Sequence, residues 1–145
     1  MIKVLIAEDN AVNRELLREL LEARGYEVTE ACDGAEAVQA VEKARPDLLL
    51  VDIGMPVLDG FGVLRKIREN PANDSLPVLA VTAYAMQGDR ERVLSSGFNG
   101  YLSKPVNATA LAEELKRLMG EGKGPASQDL PKANDRAKAA GNSQS

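Results

Sequence analysis

Short apolar runs alternate along the chain with longer segments in which apolar residues recur at helical spacing. The first run is residues 3–7 (KVLIA), and in residues 10–25 the apolar positions 12, 16, 17, 20 and 21 share one helical face. The same alternation continues to residue 119. It predicts strands at residues 3–7, 26–31, 47–52, 76–83 and 98–104, and helices at residues 10–25, 33–44, 60–70, 87–97 and 107–119.

The two most apolar strands predict how the sheet is covered. Residues 48–51 (LLLV) and 78–81 (VLAV) have no alternating polar positions. Both faces of these strands are therefore expected to be buried, as in a parallel sheet between two helix layers. Because crossovers between parallel strands are right-handed, five β–α units give an α/β fold with an open, doubly wound sheet. Such sheets bind ligands at the carboxyl ends of their strands.

Polar residues that can carry chemistry stand where these strands end. Glu8 and Asp9 follow the first strand, Asp52 ends the third, Thr82 ends the fourth and Lys104 ends the fifth. We expect the five side chains to meet at one rim of the sheet. Each also has a simpler interpretation, since acids after strands often cap helices, threonine is a strand former and a lysine is common in loops. Their combination at one rim favours a functional site.

Three carboxylates at one rim repel one another. A pair about 4 Å apart costs roughly 4 kcal/mol at an effective dielectric constant near 20. Either one carboxyl group stays protonated or a cation lies among them. Because the chain has no histidine, we expect an oxygen-ligated hard cation, Mg²⁺ first and Mn²⁺ as the alternative. The small Gly54 leaves its backbone carbonyl open to the same ion.

A cation among carboxylates also suits a phosphoryl group. Asp52 is the candidate nucleophile, because a carboxylate that attacks phosphorus forms an aspartyl phosphate. The metal, the Lys104 ammonium and the Thr82 hydroxyl then provide one partner for each of three phosphoryl oxygens. The sequence therefore predicts an acceptor site for phosphate.

Composition excludes several other classes of function. With no histidine and a single cysteine, Cys32, the chain has no Ser-His-Asp triad, no intrachain disulfide and no Cys-based zinc site. Any phosphohistidine must come from another protein. A net charge of −4 without a basic run argues against nucleic-acid binding. With no signal peptide and no apolar stretch near the roughly 20 residues of a membrane helix, we expect no membrane contact and a cytoplasmic location.

The chain divides into two parts by composition. Residues 1–119 carry the periodic pattern and are expected to form one domain with a sizeable core. Residues 120–145 contain one leucine and no apolar period, so they are expected to be a disordered tail or linker.

Four segments resemble the receiver domains of two-component response regulators: AEDN (7–10), VDIGMPVLDGFGVL (51–64), AVTAYA (80–85) and GYLSKPV (100–106). The resemblance covers about residues 1–119 and implies the flavodoxin-like (βα)5 fold, with strand order 2-1-3-4-5. It implies that Asp52 is the phosphoryl acceptor. By the same resemblance the metal ligands are Asp9 directly, Glu8 often through water, Asp52 itself and the carbonyl of Gly54.

The resemblance also implies roles for the remaining rim residues. Lys104, followed by Pro105 in the cis form, would contact the phosphoryl group. Thr82 and Tyr101 would form a switch that changes the face made by residues 87–97, 98–104 and 107–119. The chain would then be a single-domain regulator that is phosphorylated by a sensor histidine kinase or a histidine phosphotransfer protein and binds a downstream protein target. It would catalyse only its own phosphorylation and dephosphorylation.

Other phosphate-handling classes fit less well. A haloacid-dehalogenase-type phosphatase needs a second acid where this chain has Gly54, a flavodoxin-like electron carrier needs a phosphate-binding loop where Glu8 and Asp9 stand, and a P-loop enzyme needs a GK[ST] loop. The open alternative is a protein-binding module that works without phosphorylation. It also stays open whether the phosphorylated chain is an adaptor, a phosphorelay intermediate or a receiver separated from a longer protein.

Overall fold

A five-stranded parallel sheet lies between two helix layers in the computed structural model, which describes residues 2–83 and 87–120. The strands are β1 (Lys3–Ala7), β2 (Glu27–Ala31), β3 (Leu48–Asp52), β4 (Val78–Thr82) and β5 (Gly100–Ser103). The helices are α1 (Ala11–Glu22), α2 (Gly34–Ala44), α3 (Gly60–Arg68), α4 (Gln87–Ser95) and α5 (Ala108–Met119). The sheet order β2-β1-β3-β4-β5 confirms the predicted doubly wound α/β fold and its strand order.

All ten predicted elements are present, and the differences lie at their ends. Helix α3 ends at Arg68, and a short 3-10 helix at Pro71–Asn73 follows it. Four helices begin where a polar side chain accepts a hydrogen bond from a backbone N–H three residues on, which satisfies one of the free donors of the first turn. These N-cap residues are Asn10, Asp33, Asp59 and Asn107.

Alternate side chains of the central strands pack into two separate hydrophobic cores, one on each face of the sheet. One core packs beneath α2 and α3 and includes Leu5, Leu49 and Val51 of the sheet; the other packs beneath α1 and α5 and includes Leu48 and Leu50. Every residue of β3 and β4 is buried. This confirms the prediction that both faces of these strands are covered.

The loop between β3 and α3 is held by close backbone packing. A Cβ atom added to Gly34, at the start of α2, would overlap the carbonyl oxygen of Leu58. In the same loop Val57 has a φ of 71° and is 78% exposed. This left-handed conformation is uncommon for a β-branched residue. The approach of α2 therefore constrains the loop that follows Asp52.

Helix α5 ends at Met119. The tail predicted for residues 120–145 lies outside the described residues, apart from Gly120, so the division of the chain at residue 119 stays a prediction. Among residues 2–83 and 87–120, no helix has both the length and the apolar character needed to cross a bilayer.

Candidate functional site

The neighbouring strands β1 and β3 bring three acidic side chains together at one rim. The two strands pair in parallel, with Ala7 opposite Val51, so Glu8 and Asp52 are the next residues along each. One carboxylate oxygen from each of Glu8, Asp9 and Asp52 lies within 4.8 Å of the other two. Strand β1 lies between β2 and β3, so the cluster is at the point where the strand order reverses. This is where open α/β sheets bind ligands.

Two donors hold the carboxylate of Asp52, which is 7% exposed. Its Oδ2 accepts a hydrogen bond from the Lys104 ammonium at 3.1 Å. Its Oδ1 accepts one from the backbone N–H of Gly54 at 3.0 Å. The Gly54 N–H contact was not predicted, although an aspartate that bonds to the backbone two residues on is a common turn signal. The side chain that should act as the nucleophile is therefore fixed in place by these two contacts.

Glu8 is the most deeply buried acid of the cluster, with 1% exposure. Its Oε2 accepts a hydrogen bond from the Asn10 backbone N–H at 3.0 Å. The Lys104 ammonium lies 2.9 Å from Oε1 and forms an ion pair. Its direction does not suit a hydrogen bond, and within the described part of the chain Oε1 has no aligned donor. A buried carboxylate oxygen left in this state, beside two further carboxylates, fits a hard cation.

Burial and the neighbouring charges change the pKa values of two groups in the cluster. Burial raises the pKa of Glu8 above its ordinary value of 4.5, although contacts with Lys104 and the Asn10 N–H oppose this. Burial by itself would lower the pKa of Lys104, but the contacts of its ammonium with the carboxylates of Glu8 and Asp52 outweigh burial and raise that pKa. Lys104 therefore stays cationic at neutral pH. One ammonium against three carboxylates leaves net negative charge for a divalent cation to neutralise.

Strands β4 and β5 carry the other rim residues predicted from the sequence. Thr82 ends β4, is 2% exposed and lies opposite Ser103 in the register. The backbone N–H of Lys104 donates to the carbonyl oxygen of Thr82 at 2.8 Å. The Lys104–Pro105 peptide bond is cis. The structure thus places Thr82 and Lys104 side by side at the rim that holds the acids.

Tyr101 lies further from the rim, opposite Ala80 in the pairing of β4 with β5. Its ring is half-buried and packs against the core beneath α3. Burial and the charge of Asp89 raise the pKa of the Tyr101 hydroxyl, and Arg90 opposes this. Both charged residues belong to α4, so charges on that helix act on the Tyr101 hydroxyl.

One basic residue next to the acids was missed in the sequence. The guanidinium group of Arg14 donates to the carbonyl oxygen of Glu8 at 2.8 Å and to that of Asp9 at 3.4 Å. It also forms an ion pair with Glu30 at 3.5 Å. One feature of the sequence could have identified Arg14. The helix dipole disfavours a positive charge in the first turn of α1, so a cation there indicates that it has another partner.

The fold is that of a receiver domain, and residues 4–116 match the response regulator receiver domain family. The chain belongs to this family, which acts in two-component signalling.

Similar proteins agree with this assignment. The polar-differentiation response regulator DivK of Brucella anthropi is 40% identical over 118 residues, which cover 81% of this chain and 96% of DivK. Residues 80–106 of this chain look most like DivK and like receivers attached to hybrid kinases, and the match to DivK confirms the first of these resemblances. The receiver domain of a sensor histidine kinase from Pseudomonas aeruginosa, solved with a magnesium ion coordinated in the active-site cleft, is 41% identical with a TM-score of 0.76, over 82% of this chain and 98% of that one.

A third similar structure is a complex. It contains the Saccharomyces cerevisiae histidine phosphotransfer protein Ypd1 and the receiver domain of its downstream response regulator Ssk1. The match is 31% identical with a TM-score of 0.74, over 81% of this chain and 88% of that one.

Proposed function

We propose that this chain accepts a phosphoryl group on Asp52 in a reaction that depends on a divalent metal. Phosphorylation then changes the partner preference of the face formed by α4, β5 and α5. The observation that carries the proposal is the contact of the Asp52 carboxylate with the Lys104 ammonium, 3.1 Å long, inside a cluster of three acids. This contact supports a role for Asp52 as a nucleophile held beside a positive charge.

The all-oxygen donor set at the rim suits Mg²⁺ and also Mn²⁺. The carboxylates of Asp9 and Asp52 would hold the ion directly, Glu8 would act through water, and Gly54 would add its carbonyl oxygen. When bound, the ion neutralises negative charge on the acids and on an incoming phosphoryl group. The magnesium ion in the cleft of the Pseudomonas receiver domain supports this choice.

The transfer itself needs a donor from outside the chain, which contains no histidine. A carboxylate oxygen of Asp52 attacks the phosphorus of a phosphohistidine. As the O–P bond forms, the P–N bond breaks, and the donor nitrogen keeps the electron pair and takes up a proton. Lys104 neutralises one phosphoryl oxygen. A sensor histidine kinase or a histidine phosphotransfer protein would be the donor, and the yeast complex with Ypd1 supports this partner class.

Removal of the phosphoryl group would use the same rim. Water attacks the phosphorus of the aspartyl phosphate, the O–P bond to Asp52 breaks, and the carboxylate is restored together with inorganic phosphate. The chain would in this way catalyse its own phosphorylation and dephosphorylation and act on no other substrate.

The signal would pass from Asp52 to the face that binds a downstream protein. The Thr82 hydroxyl would move toward the phosphoryl group, and Tyr101 would turn inward into the space it leaves. Two features of the sheet support this path, since Thr82 adjoins Lys104 and the Tyr101 ring is half-buried. Helix α4 is also weakly anchored, because Val93 is the one buried side chain within residues 88–95. A helix held by so little apolar surface is readily shifted, and a coupling free energy of about 1–3 kcal/mol is sufficient.

The test is the intact mass of the protein after incubation with acetyl phosphate, with Mg²⁺ and with EDTA. Wild type, Asp52→Asn and Asp47→Asn are compared. Asp47 is the matched control, because it lies just before β3, at the end of that strand opposite to Asp52. Its carboxylate accepts a hydrogen bond from the backbone N–H of Lys3. We expect one added phosphoryl group in wild type and Asp47→Asn with Mg²⁺, and none in Asp52→Asn or with EDTA.

A short-lived adduct is distinguished from an absent one by beryllofluoride, which mimics the phosphoryl group on an aspartate. If wild type neither gains mass nor binds beryllofluoride with Mg²⁺ present, the proposal fails, and a protein-binding module that works without phosphorylation replaces it.

A further inference from the structure

We propose that Arg14 is a positioning residue for the acidic cluster. Its guanidinium group holds the backbone of Glu8 and Asp9 so that both carboxylates stay within reach of one cation. The inference rests on the proposed function, because it concerns the same metal site.

Asp9 is the acid whose position most needs an explanation. Asp52 is held by Gly54 and Lys104, and Glu8 is buried beside Lys104. The Asp9 side chain is exposed, and within residues 2–83 and 87–120 its carboxylate accepts no hydrogen bond and forms no ion pair. The region that its carboxylate can reach therefore depends on where its backbone is held.

Arg14 holds that backbone from the side of α1. Its Nη1 atom donates a short hydrogen bond to the Glu8 carbonyl oxygen at 2.8 Å and a longer, weaker one to the Asp9 carbonyl oxygen at 3.4 Å. From the other side, the Glu8 N–H donates to the Ala31 carbonyl oxygen at 3.1 Å. The peptide units on both sides of Asp9 are consequently hydrogen-bonded to Arg14 of α1. The peptide unit that precedes Glu8 is hydrogen-bonded to β2.

The helix itself gives no reason for a cation at this position. Arg14 lies in the first turn of α1, where the dipole disfavours positive charge, and that turn has no acidic residue. The side chain is only 19% exposed and is anchored by Glu30 of β2 at 3.5 Å. The cation is stabilised at this position by three acceptors: the carbonyl oxygens of Glu8 and Asp9 and the carboxylate of Glu30. Because Glu30 neutralises the guanidinium charge, Arg14 can hold the acids with less repulsion of a metal ion.

Arg18 offers a matched control on the same helix. It pairs with the same Glu30 at 2.8 Å and with Glu22 at 3.0 Å. It contacts neither the Glu8 nor the Asp9 carbonyl oxygen. Arg14→Met and Arg18→Met therefore remove the same charge from α1, but only Arg14→Met releases the backbone of the acids. Arg14→Lys keeps the charge and loses the planar guanidinium group.

The test measures Mg²⁺ affinity by isothermal titration calorimetry of the full chain, with thermal unfolding in EDTA as a check on folding. We expect Arg14→Met to weaken Mg²⁺ binding about tenfold, as loss of a group that orients metal ligands does, and Arg18→Met to stay within about twofold of wild type. Arg14→Lys should bind Mg²⁺ more like Arg14→Met than like wild type. If Arg14→Met fails to fold, the Mg²⁺ affinities of Arg14→Lys and Arg18→Met are compared instead, and the inference requires weaker binding in Arg14→Lys.

Labelling by acetyl phosphate at increasing Mg²⁺ provides a second readout. For the Arg14 variants the Mg²⁺ concentration for half-maximal rate should rise about tenfold, with the rate at saturating Mg²⁺ near that of wild type. A merely structural defect would not be relieved by more metal.

The inference is overturned if both Arg14 variants bind Mg²⁺ like wild type, or if Arg18→Met weakens binding as much as they do. If wild type itself binds no Mg²⁺, the proposed function fails first, and that result is distinct from either of these.

Discussion

The ammonium group of Lys104 lies 3.1 Å from Oδ2 of Asp52, at the end of a strand that is buried along its whole length. Strand β3 pairs with β1 on one side and with β4 on the other. The backbone that carries Asp52 is therefore held rigidly. Lys104 directly follows β5, so the positive charge beside Asp52 comes from a different part of the sheet.

Replacing Lys104 by methionine separates the chemistry of the site from its metal binding. We expect the rate of labelling by acetyl phosphate to fall about 100-fold, because one stabilising charge on the phosphoryl oxygens is lost. Mg²⁺ affinity should instead rise severalfold, since a unit charge near a dication costs on the order of 1 kcal/mol even in water. Labelling time courses and calorimetric titrations measure the two effects. Lys66→Met, at an exposed position of α3, is the control, and normal labelling of Lys104→Met would contradict the role of the contact.

Replacing Thr82 by alanine should leave metal binding intact and weaken the switch. Asp52 and its partners do not change, so beryllofluoride should still bind with Mg²⁺. The response at Tyr101 should shrink, because no hydroxyl draws β4 toward the phosphoryl group. NMR shifts of the Tyr101 ring and of α4 amides on addition of beryllofluoride report this response. Thr82→Ser retains the hydroxyl and should respond like wild type; an equal response in Thr82→Ala would remove Thr82 from the switch.

Mg²⁺ binding should depend on pH through Glu8. Burial raises the pKa of this carboxyl group above 4.5, so the metal-free folded chain binds the proton more tightly than the unfolded chain. The protonated Glu8 therefore stabilises the metal-free fold. This contribution to the free energy of unfolding is fully present below pH 4.5 and is lost as the pH rises through the raised pKa. The same proton competes with the metal, so Mg²⁺ affinity should fall as pH decreases from neutral toward that pKa.

Glu8→Gln tests this assignment because glutamine does not titrate. The variant should bind Mg²⁺ more weakly at neutral pH and with a flatter pH dependence, measured by calorimetry in matched buffers. If the pH profiles of wild type and Glu8→Gln are parallel, the titrating group is another residue.

Two glycines should respond in opposite ways to alanine. Gly34→Ala places a methyl group against the Leu58 carbonyl oxygen, and we expect it to lower the free energy of unfolding by about 1–3 kcal/mol. Gly88 lies in the first turn of α4, and in the described part of the chain no atom outside the backbone of this helix lies within 4 Å of an added Cβ. Gly88→Ala should therefore raise that free energy by about 0.5–1 kcal/mol. Urea denaturation measures both. If Gly34→Ala and wild type have equal free energies of unfolding, the backbone at Leu58 can move away from the added methyl group without loss of stability.

Much of the fold was predictable because its signals are local. The run Leu48–Val51 identifies a strand buried on both faces, and Asp33 identifies a helix start through a hydrogen bond that spans three residues. The ends of α3 and β5 were less predictable, since they depend on capping and on pairing with neighbouring strands. The rim was predictable because parallel strands share one carboxyl edge, and acids that follow neighbouring strands meet there.

By itself, the sequence determined the order of strands and helices and the set of acids, threonine and lysine at the carboxyl edge. These follow from periodicity and from the direction of parallel strands. Only the tertiary structure decided which oxygen of Asp52 meets Lys104, that the Gly54 N–H holds the other, and that Arg14 reaches the carbonyl oxygens of Glu8 and Asp9. Such contacts depend on how α1 and the loop after β5 pack against the sheet, and angles and distances between separate elements leave no periodic trace in the chain.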